Sequence, residues 1–337
     1  MVSAGFDPRQ DGYEAARSAA VFRERSDRGW IVVRGGDRAS YLHGLLTNDV
    51  ASLKAGEGCY SAYLTPQGRM IADFWVYELG DAILLSMSRD VKDSVLAKLD
   101  QLVFTEDVQL GDLTAVSTGI AVLGPDAASV AGEVTGVPDD RLALLPEHGN
   151  LRGSFEGEPV VVLRTTDLGE PGFDLLVDAS RAPAAGEALR AAGALEIGEE
   201  IVEVLRIEAG VPKFHRDMDE ETIPLEAGIE PRAISFTKGC YVGQEVIVRV
   251  LHRGHGRVAR KLIGLSLEGE AVPPPGALVR VEGREVGRIT SSAGSRALGA
   301  PIALAYLQRD FVAAGTRVTV EGTAGVVTEL PFVERRV

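Results

Sequence analysis

The chain has 337 residues, 45% of them apolar, with 35 Lys and Arg against 49 Asp and Glu and a formal charge of -14. It is long enough to bury a substantial core and to divide into two or three folding units, and its acidity disfavours non-specific binding of nucleic acid by the molecule as a whole. The segment up to Trp30 is broken by Pro8, Asp11, Glu14, Arg17, Arg23 and Glu24, so it offers neither a signal-type apolar run nor a membrane span. The two cysteines, Cys59 and Cys240, lie far apart with no export signal; reduced thiols in a cytoplasmic protein are expected.

Along the chain, "GWIVVRGG" reads as a strand running into a turn, with Asp37 placed to cap the helix "RASYLHGLL". "CYSAYL" and "RMIADFWVYEL" follow as strands joined by the turn "TPQG", and "AILLSM" is a third. In "RDVKDSVLAKLDQLV" the residues Val91, Val95, Leu96, Leu99, Leu102 and Val103 recur at helical spacing. "AVSTGIAVLG" is then a strand, and Pro125 opens a short helix. "PVVVLRTT" and "FDLLV" form a hairpin, followed by the Ala-rich helix "SRAPAAGEALRAAG". The helix "GEEIVEVLRIEAG" sets Ile201, Val204, Leu205 and Glu208 along one side and ends at Gly210. After Lys261 six short strands separated by Gly, Pro and Ser carry the signature of a small β-barrel or sandwich. The fold class expected is α+β with a C-terminal β-barrel, in three regions: 1–115, 116–257 and 258–337.

Three positions invite chemistry. If "RMIADFWVYEL" is a strand, Ile71, Asp73, Trp75 and Tyr77 share one face, so Asp73 is a carboxylate in an apolar and aromatic row. A buried acid is paired, protonated or held for a ligand. Glu170 sits at the first corner of a turn in which Pro171 and Gly172 suit the central positions of a type II geometry. There it is either solvated or able to grip a planar donor edge in forked fashion. In "KGCYVGQE", Gly239 and Gly243 leave the backbone around Cys240 open and Lys238 supplies a cation. If "GQEVIVRVL" begins a helix, its amides also favour thiolate, although "VIVRV" has strong β-propensity. The alternative for Cys240 is a buried structural thiol; Cys59, inside an apolar strand, is assigned to the core.

Other features read more plainly. "RDMDEET" lacks the spacing of a calcium loop and is expected to be an exposed turn. The five histidines show no metal spacing paired with cysteine, and neither a Walker loop nor G-x-S-x-G occurs. The run "RVLHRGHGRVARK", Arg249 to Lys261, holds five cations and no acid: a solvated turn or a local anion site. Its lack of stacking aromatics, with the overall charge, argues against a stable nucleic-acid partner.

Taken together, "FRERSDRGWIVVRGGDRASYLHGLLTNDV", "GRMIADFWVY", "LGEPGFDLLV", "LRIEAGVPKFHRDMDEETIPLEAGI" and "KGCYVGQE" resemble the glycine-cleavage T-protein superfamily from about Gly29 onward. The octapeptide, Lys238, Gly239, Cys240, Tyr241, Gly243, Gln244 and Glu245 among its residues, is similar to the hallmark of the YgfZ-type folate-binding branch. The resemblance implies a ring-like three-domain T-protein fold with tetrahydrofolate, or a one-carbon derivative, in its centre. It implies Asp73 beside the folate nitrogens and Glu170 on the pterin edge, with Arg206, Arg249 and Arg253 as candidates for the folate carboxylates. Cys240 becomes a functional thiol, and the implied partners are folate and iron–sulfur enzymes or their assembly proteins, with no membrane. Ala72-Asp73 replaces the paired aspartates usual in T-proteins, and Gly243-Gln244-Glu245 replaces Gly-Lys-Glu. The expected function is a tetrahydrofolate-binding accessory factor for assembly or repair of iron–sulfur enzymes, with a folate-dependent aminomethyltransferase or demethylase as the alternative.

Overall fold

A computed structural model describes residues 11–252 and 257–334. Its strands, in chain order, are β1 (Val21–Glu24), β2 (Arg28–Arg34), β3 (Gly58–Leu64), β4 (Met70–Glu78), β5 (Ile83–Ser88), β6 (Gln109–Asp112), β7 (Ser117–Leu123), β8 (Asn150–Phe155) and β9 (Glu158–Thr165). There follow β10 (Gly172–Asp178), β11 (Leu195–Glu196), β12 (Arg260–Leu267), β13 (Leu278–Val281), β14 (Arg284–Ser295), β15 (Ala300–Gln308), β16 (Arg317–Val320) and β17 (Thr323–Thr328).

They build two open sheets and a barrel. The first sheet has the order β3-β4-β5-β2-β6 and the second β11-β1-β7-β10-β9-β8. β1 precedes every strand of the first sheet in sequence, yet it pairs antiparallel with β7 in the second. The last six strands close as β12-β15-β14-β13-β16-β17, around Leu265, Val279, Val286, Ala305 and Leu307. Closure leaves these short, Gly-punctuated strands no unpaired edge.

Strand alternation decides which face of each sheet does what. On β4, Met70, Ala72, Phe74 and Val76 are fully buried against the helices Arg38–Leu45 and Lys92–Asp100 through Leu42, Val95 and Leu99. The opposite face turns toward the second sheet, where Trp30, Tyr77 and Leu84 pack on Leu163 and Leu176. The far side of the second sheet is covered by the helices Ala127–Thr135 and Ala182–Ala191 through Val130, Ala131, Ala185 and Leu189. Helix Glu199–Glu208 bridges the regions: Val202 and Leu205 pack on β1 and β7, and Ile207 packs on Leu262 and Tyr306 of the barrel.

Three local expectations are corrected, and the conditional reading of a helix after Gly243 is borne out. Asp37 precedes the helix Arg38–Leu45 but makes no side-chain cap; its Oδ2 accepts from the Asp107 N–H at 2.9 Å and so ties down the loop before β6. The β9–β10 turn is not centred on Pro171 and Gly172. The Gly169 N–H closes it on the Thr166 carbonyl at 3.0 Å, Gly169 takes the positive φ, and Gly172 already belongs to β10. "RDMDEET" is not wholly an exposed turn: Asp217 is buried, accepting from Arg206 at 2.7 Å and from Thr290 at 2.5 Å. The β-propensity of "VIVRV" loses to helical periodicity, because Ile247, Val250 and Leu251 fall on one side of the helix Gln244–His252 and pack on the first core.

Candidate functional site

Where the two sheets diverge they leave a cavity. Asp73, Tyr60, Trp75 and Arg28 line it from the first sheet, Arg23 and Ala121 from the second, and Asp167 and Leu168 from the β9–β10 turn. Helix Glu199–Glu208 and the segment from Val211 to Phe214 close one side, and Arg232 stands at another.

The alternation of β4 that buries Phe74 points Asp73 into this space. Its Oδ2 accepts the Tyr60 hydroxyl at 2.7 Å, and the residue is 8% exposed. Burial pushes its carboxyl pKa upward, against the opposing influence of the Arg28 cation and the Tyr60 hydrogen bond. Arg28 is also buried. Its guanidinium lies 3.7 Å from the centre of the Trp75 ring, with Nε donating to Ser86 at 3.1 Å. Burial, then the neighbouring Arg25, brings Arg28 down to about 10. Arg25 is neutralised by Asp174 of β10 at 3.0 Å, and burial raises the Asp174 carboxyl against that attraction.

Asp167 escaped the sequence reading. It is 6% exposed, and its nearest cation is Arg232, 3.7 Å from Oδ1. Its buried Oδ2 has no hydrogen-bond partner among the described residues, and neither do Trp75 Nε1 and Arg232 Nε. All three residues line the same cavity. Leaving such a group unsatisfied costs about 1–3 kcal/mol, and more for a charge. Three in one hollow mark a place shaped for the donors and acceptors of a ligand. No sequence signal set Asp167 apart from the neighbouring Glu170 and Asp174.

Glu170 does not line the cavity. It is fully buried, and Arg17 of the helix Gly12–Ser18 donates to it at 2.5 Å. The same guanidinium donates to Glu208 at 2.5 Å, and Glu208 also receives Tyr13 at 2.9 Å and the barrel residue Ser295 at 2.6 Å. The solvated hairpin tip is therefore replaced by a latch joining the N-terminal helix, the β9–β10 turn, helix Glu199–Glu208 and the barrel. Arg206 does line the cavity, but its five N–H groups are donated to Glu203, Asp217, Ser291 and the Val211 carbonyl. That set leaves no donor over for a ligand carboxylate. Arg249 is exposed on the helix Gln244–His252, outside the cavity lining, and Arg253 lies outside the described residues.

The "KGCYVGQE" loop is a separate feature. Lys238 Nζ, expected as a cation for the thiol, donates instead to the carbonyls of His43, Leu46 and Asn48 at 2.5, 2.6 and 3.0 Å. Burial pulls its pKa down to about 8. Tyr241 is buried with its ring 5.2 Å from that ammonium. Gly243 holds φ +85, and a Cβ there would lie 2.6 Å from the Thr65 carbonyl, so only glycine lets the helix start close onto the "TPQG" turn. Between these anchors Cys240 is exposed and free, and it does not line the cavity. Cys59 packs against the first core, and burial pushes its thiol up to about 12.

Comparison with known proteins places this architecture. The model described as the GCVT N-terminal domain matches residues 4–238, starting ahead of Gly29, and that of the glycine cleavage T-protein C-terminal barrel domain matches 260–334. A chloroplastic protein of Arabidopsis thaliana, named as a transferase, is 31% identical over 98% of this chain and 75% of its own length. An aminomethyltransferase of Nostoc is 32% identical over 95% of this chain and 86% of its own. The crystal structure of glycine cleavage system aminomethyltransferase T from Bartonella henselae superposes with a TM-score of 0.87 at 24% identity, covering 96% of this chain and 89% of that one. No described helix is long and apolar enough to cross a membrane. The chain belongs to the glycine cleavage T-protein family.

Proposed function

We propose that the cavity between the sheets binds tetrahydrofolate or a one-carbon derivative, and that the protein is a folate-dependent one-carbon transferase of the aminomethyltransferase kind. The observation that carries this reading is the cavity's set of buried, unpartnered polar atoms on Asp167, Trp75 and Arg232, beside an acid, Asp73, whose pKa is raised by burial. Tetrahydrofolate, when bound, supplies the nitrogens that accept a one-carbon unit. Tyr60, Trp75 and Phe214 offer flat apolar surface for a ring, and Asp167 offers an acceptor oxygen for its N–H groups. Asp73, steered by the Tyr60 hydroxyl, is placed to hold or release a proton at Oδ, and its raised pKa brings that exchange closer to neutral pH. The aminomethyltransferase names of the relatives support the transferase reading over a purely accessory one.

A second reading, a thiol-dependent factor for iron–sulfur enzymes of the YgfZ type, draws on one observation: Cys240 is exposed on a loop anchored on both sides, away from the cavity. One assay separates the two. Formation of methylenetetrahydrofolate from an aminomethyl donor, retained in Cys240→Ala and lost in Asp73→Asn, supports the transferase. No turnover with any aminomethyl donor, together with loss of cellular iron–sulfur enzyme activity in Cys240→Ala, rejects it.

A further inference from the structure

Among the described residues, six cations line the cavity: Arg23, Arg25, Arg28, Arg206, Lys213 and Arg232. Five of them are ion-paired: Arg23 with Asp27, Arg25 with Asp174, Arg206 with Asp217, Lys213 with Glu199 and Arg232 with Glu147. Arg28 is the exception. It is 8% exposed and forms no ion pair among the described residues, and its one hydrogen bond there runs from Nε to Ser86. The N–H groups of its two terminal nitrogens are therefore unclaimed. Brought down to about 10, it is still a cation at neutral pH. An unmatched buried charge is costly, and such a group is kept where a ligand supplies the counter-charge.

Strand order places this cation. β5 lies between β4 and β2, with Ser88 opposite Arg28, and the Arg28 side chain crosses β5 to lie on the Trp75 ring of β4. The buried Trp75 Nε1–H, on that same ring, has no acceptor among the described residues either. Asp73 is the neighbour of Trp75 on this face of β4, about 6.6 Å along the strand. Tyr60 is its side-chain hydrogen-bond partner, and it forms no ion pair among the described residues. Two sets of N–H donors and an acid thus line one space without closing on each other. A forked cation suits a carboxylate, and an acid suits an amine. We propose that Arg28 and Asp73 form a clamp for a small α-amino acid, its carboxylate on the Arg28 guanidinium and the Trp75 Nε1–H and its amine on Asp73. The clamp goes beyond the folate reading: it needs only this chain's own residues, and it gives the cavity a second occupant.

The test reads the Trp75 indole N–H signal by NMR, with Trp30, the other tryptophan of the chain, as internal control. Glycine is the probe, and acetate and methylamine are its two halves. In wild type, glycine is expected to shift the Trp75 signal saturably, with half-saturation at about 1 mM, and each half to bind about tenfold more weakly. Arg28→Lys, which keeps the charge but not the fork, should weaken glycine about tenfold. Arg28→Met should abolish the response to glycine and acetate. It removes an unmatched buried charge, so its melting temperature should not fall. Asp73→Asn should reduce glycine to the level of acetate. No saturable shift with glycine, or a response that survives intact in Arg28→Met, overturns the clamp. Tetrahydrofolate titrated onto glycine-loaded protein separates two sources of a carboxylate. Binding alongside glycine supports a second occupant, whereas displacement of glycine assigns Arg28 to the folate and overturns the proposal. Tetrahydrofolate that does not bind, with glycine binding intact, overturns the folate reading and supports the clamp.

Discussion

Two clusters of buried charge tie remote parts of this chain together, and only one of them lines a cavity. In the latch, Glu208 receives Tyr13, Arg17 and Ser295, and Arg17 also reaches Glu170, so helix, turn and barrel are clamped by short, charge-assisted hydrogen bonds. Around the cavity, Asp73 keeps Tyr60 and Arg25 keeps Asp174, but the buried Asp167 Oδ2 has no hydrogen-bond partner among the described residues. Burial of an acid is common to both. What separates a fastening from a site here is whether the acid lines a cavity: Asp73 and Asp167 do, and Glu170 and Glu208 do not.

The sharpest way to break this contrast is to open the latch. Arg17→Ala removes the guanidinium shared by two fully buried acids, and loss of one partner from such a cluster costs about 3–5 kcal/mol. Chemical denaturation should show a loss of that size, with folate affinity of the remaining folded protein unchanged. The cavity acids should behave in the opposite sense. Asp73→Asn is expected to stabilise the protein by about 1 kcal/mol at neutral pH while lowering folate affinity at least tenfold.

The pH dependence of stability carries the same information. The unfolded Asp73 carboxyl titrates near about 3.9, and the folded one titrates higher because it is buried. Between those values the native state holds a proton that the unfolded chain has lost, so this contribution is full below the unfolded value and is lost as pH rises through the folded one. Asp73→Asn should flatten that part of a melting-temperature profile; an unchanged profile would contradict the assignment. Asp174 titrates in the same direction and remains in the variant, so flattening is partial. The smallest effect is expected at Cys240: Cys240→Ala, at an exposed position outside the cavity lining, should shift stability by less than about 0.5 kcal/mol and leave folate affinity as it was.

Much of the architecture was readable from periodicity. The alternation of β4 told Asp73 from Phe74, and the helix periods of Lys92–Asp100 and Glu199–Glu208 follow their apolar stripes. Short or polar elements were not readable: β6, β8 and β11 have little apolar alternation and are held by their neighbours' hydrogen bonds. At the site, one strand face could be derived, whereas the β9–β10 turn and the start of β10 offered Asp167, Glu170 and Asp174 within eight positions. Which of these acids faces the cavity depends on where the turn closes, and Gly169, not Gly172, takes the positive φ. A shift of that kind redirects every following side chain. The partner of Glu170 also comes from Arg17, 153 residues away, a distance over which no local pattern speaks.

The most direct measurement is the tetrahydrofolate affinity of wild type, Asp73→Asn, Asp167→Asn and Glu170→Gln by calorimetry, with melting temperature recorded in parallel. Affinity should fall in both aspartate variants without loss of stability, and Glu170→Gln should lose stability while its folded fraction binds as wild type does. Unchanged affinity in both aspartate variants, or abolished binding in a fully folded Glu170→Gln, would contradict the placement of the ligand between the two sheets.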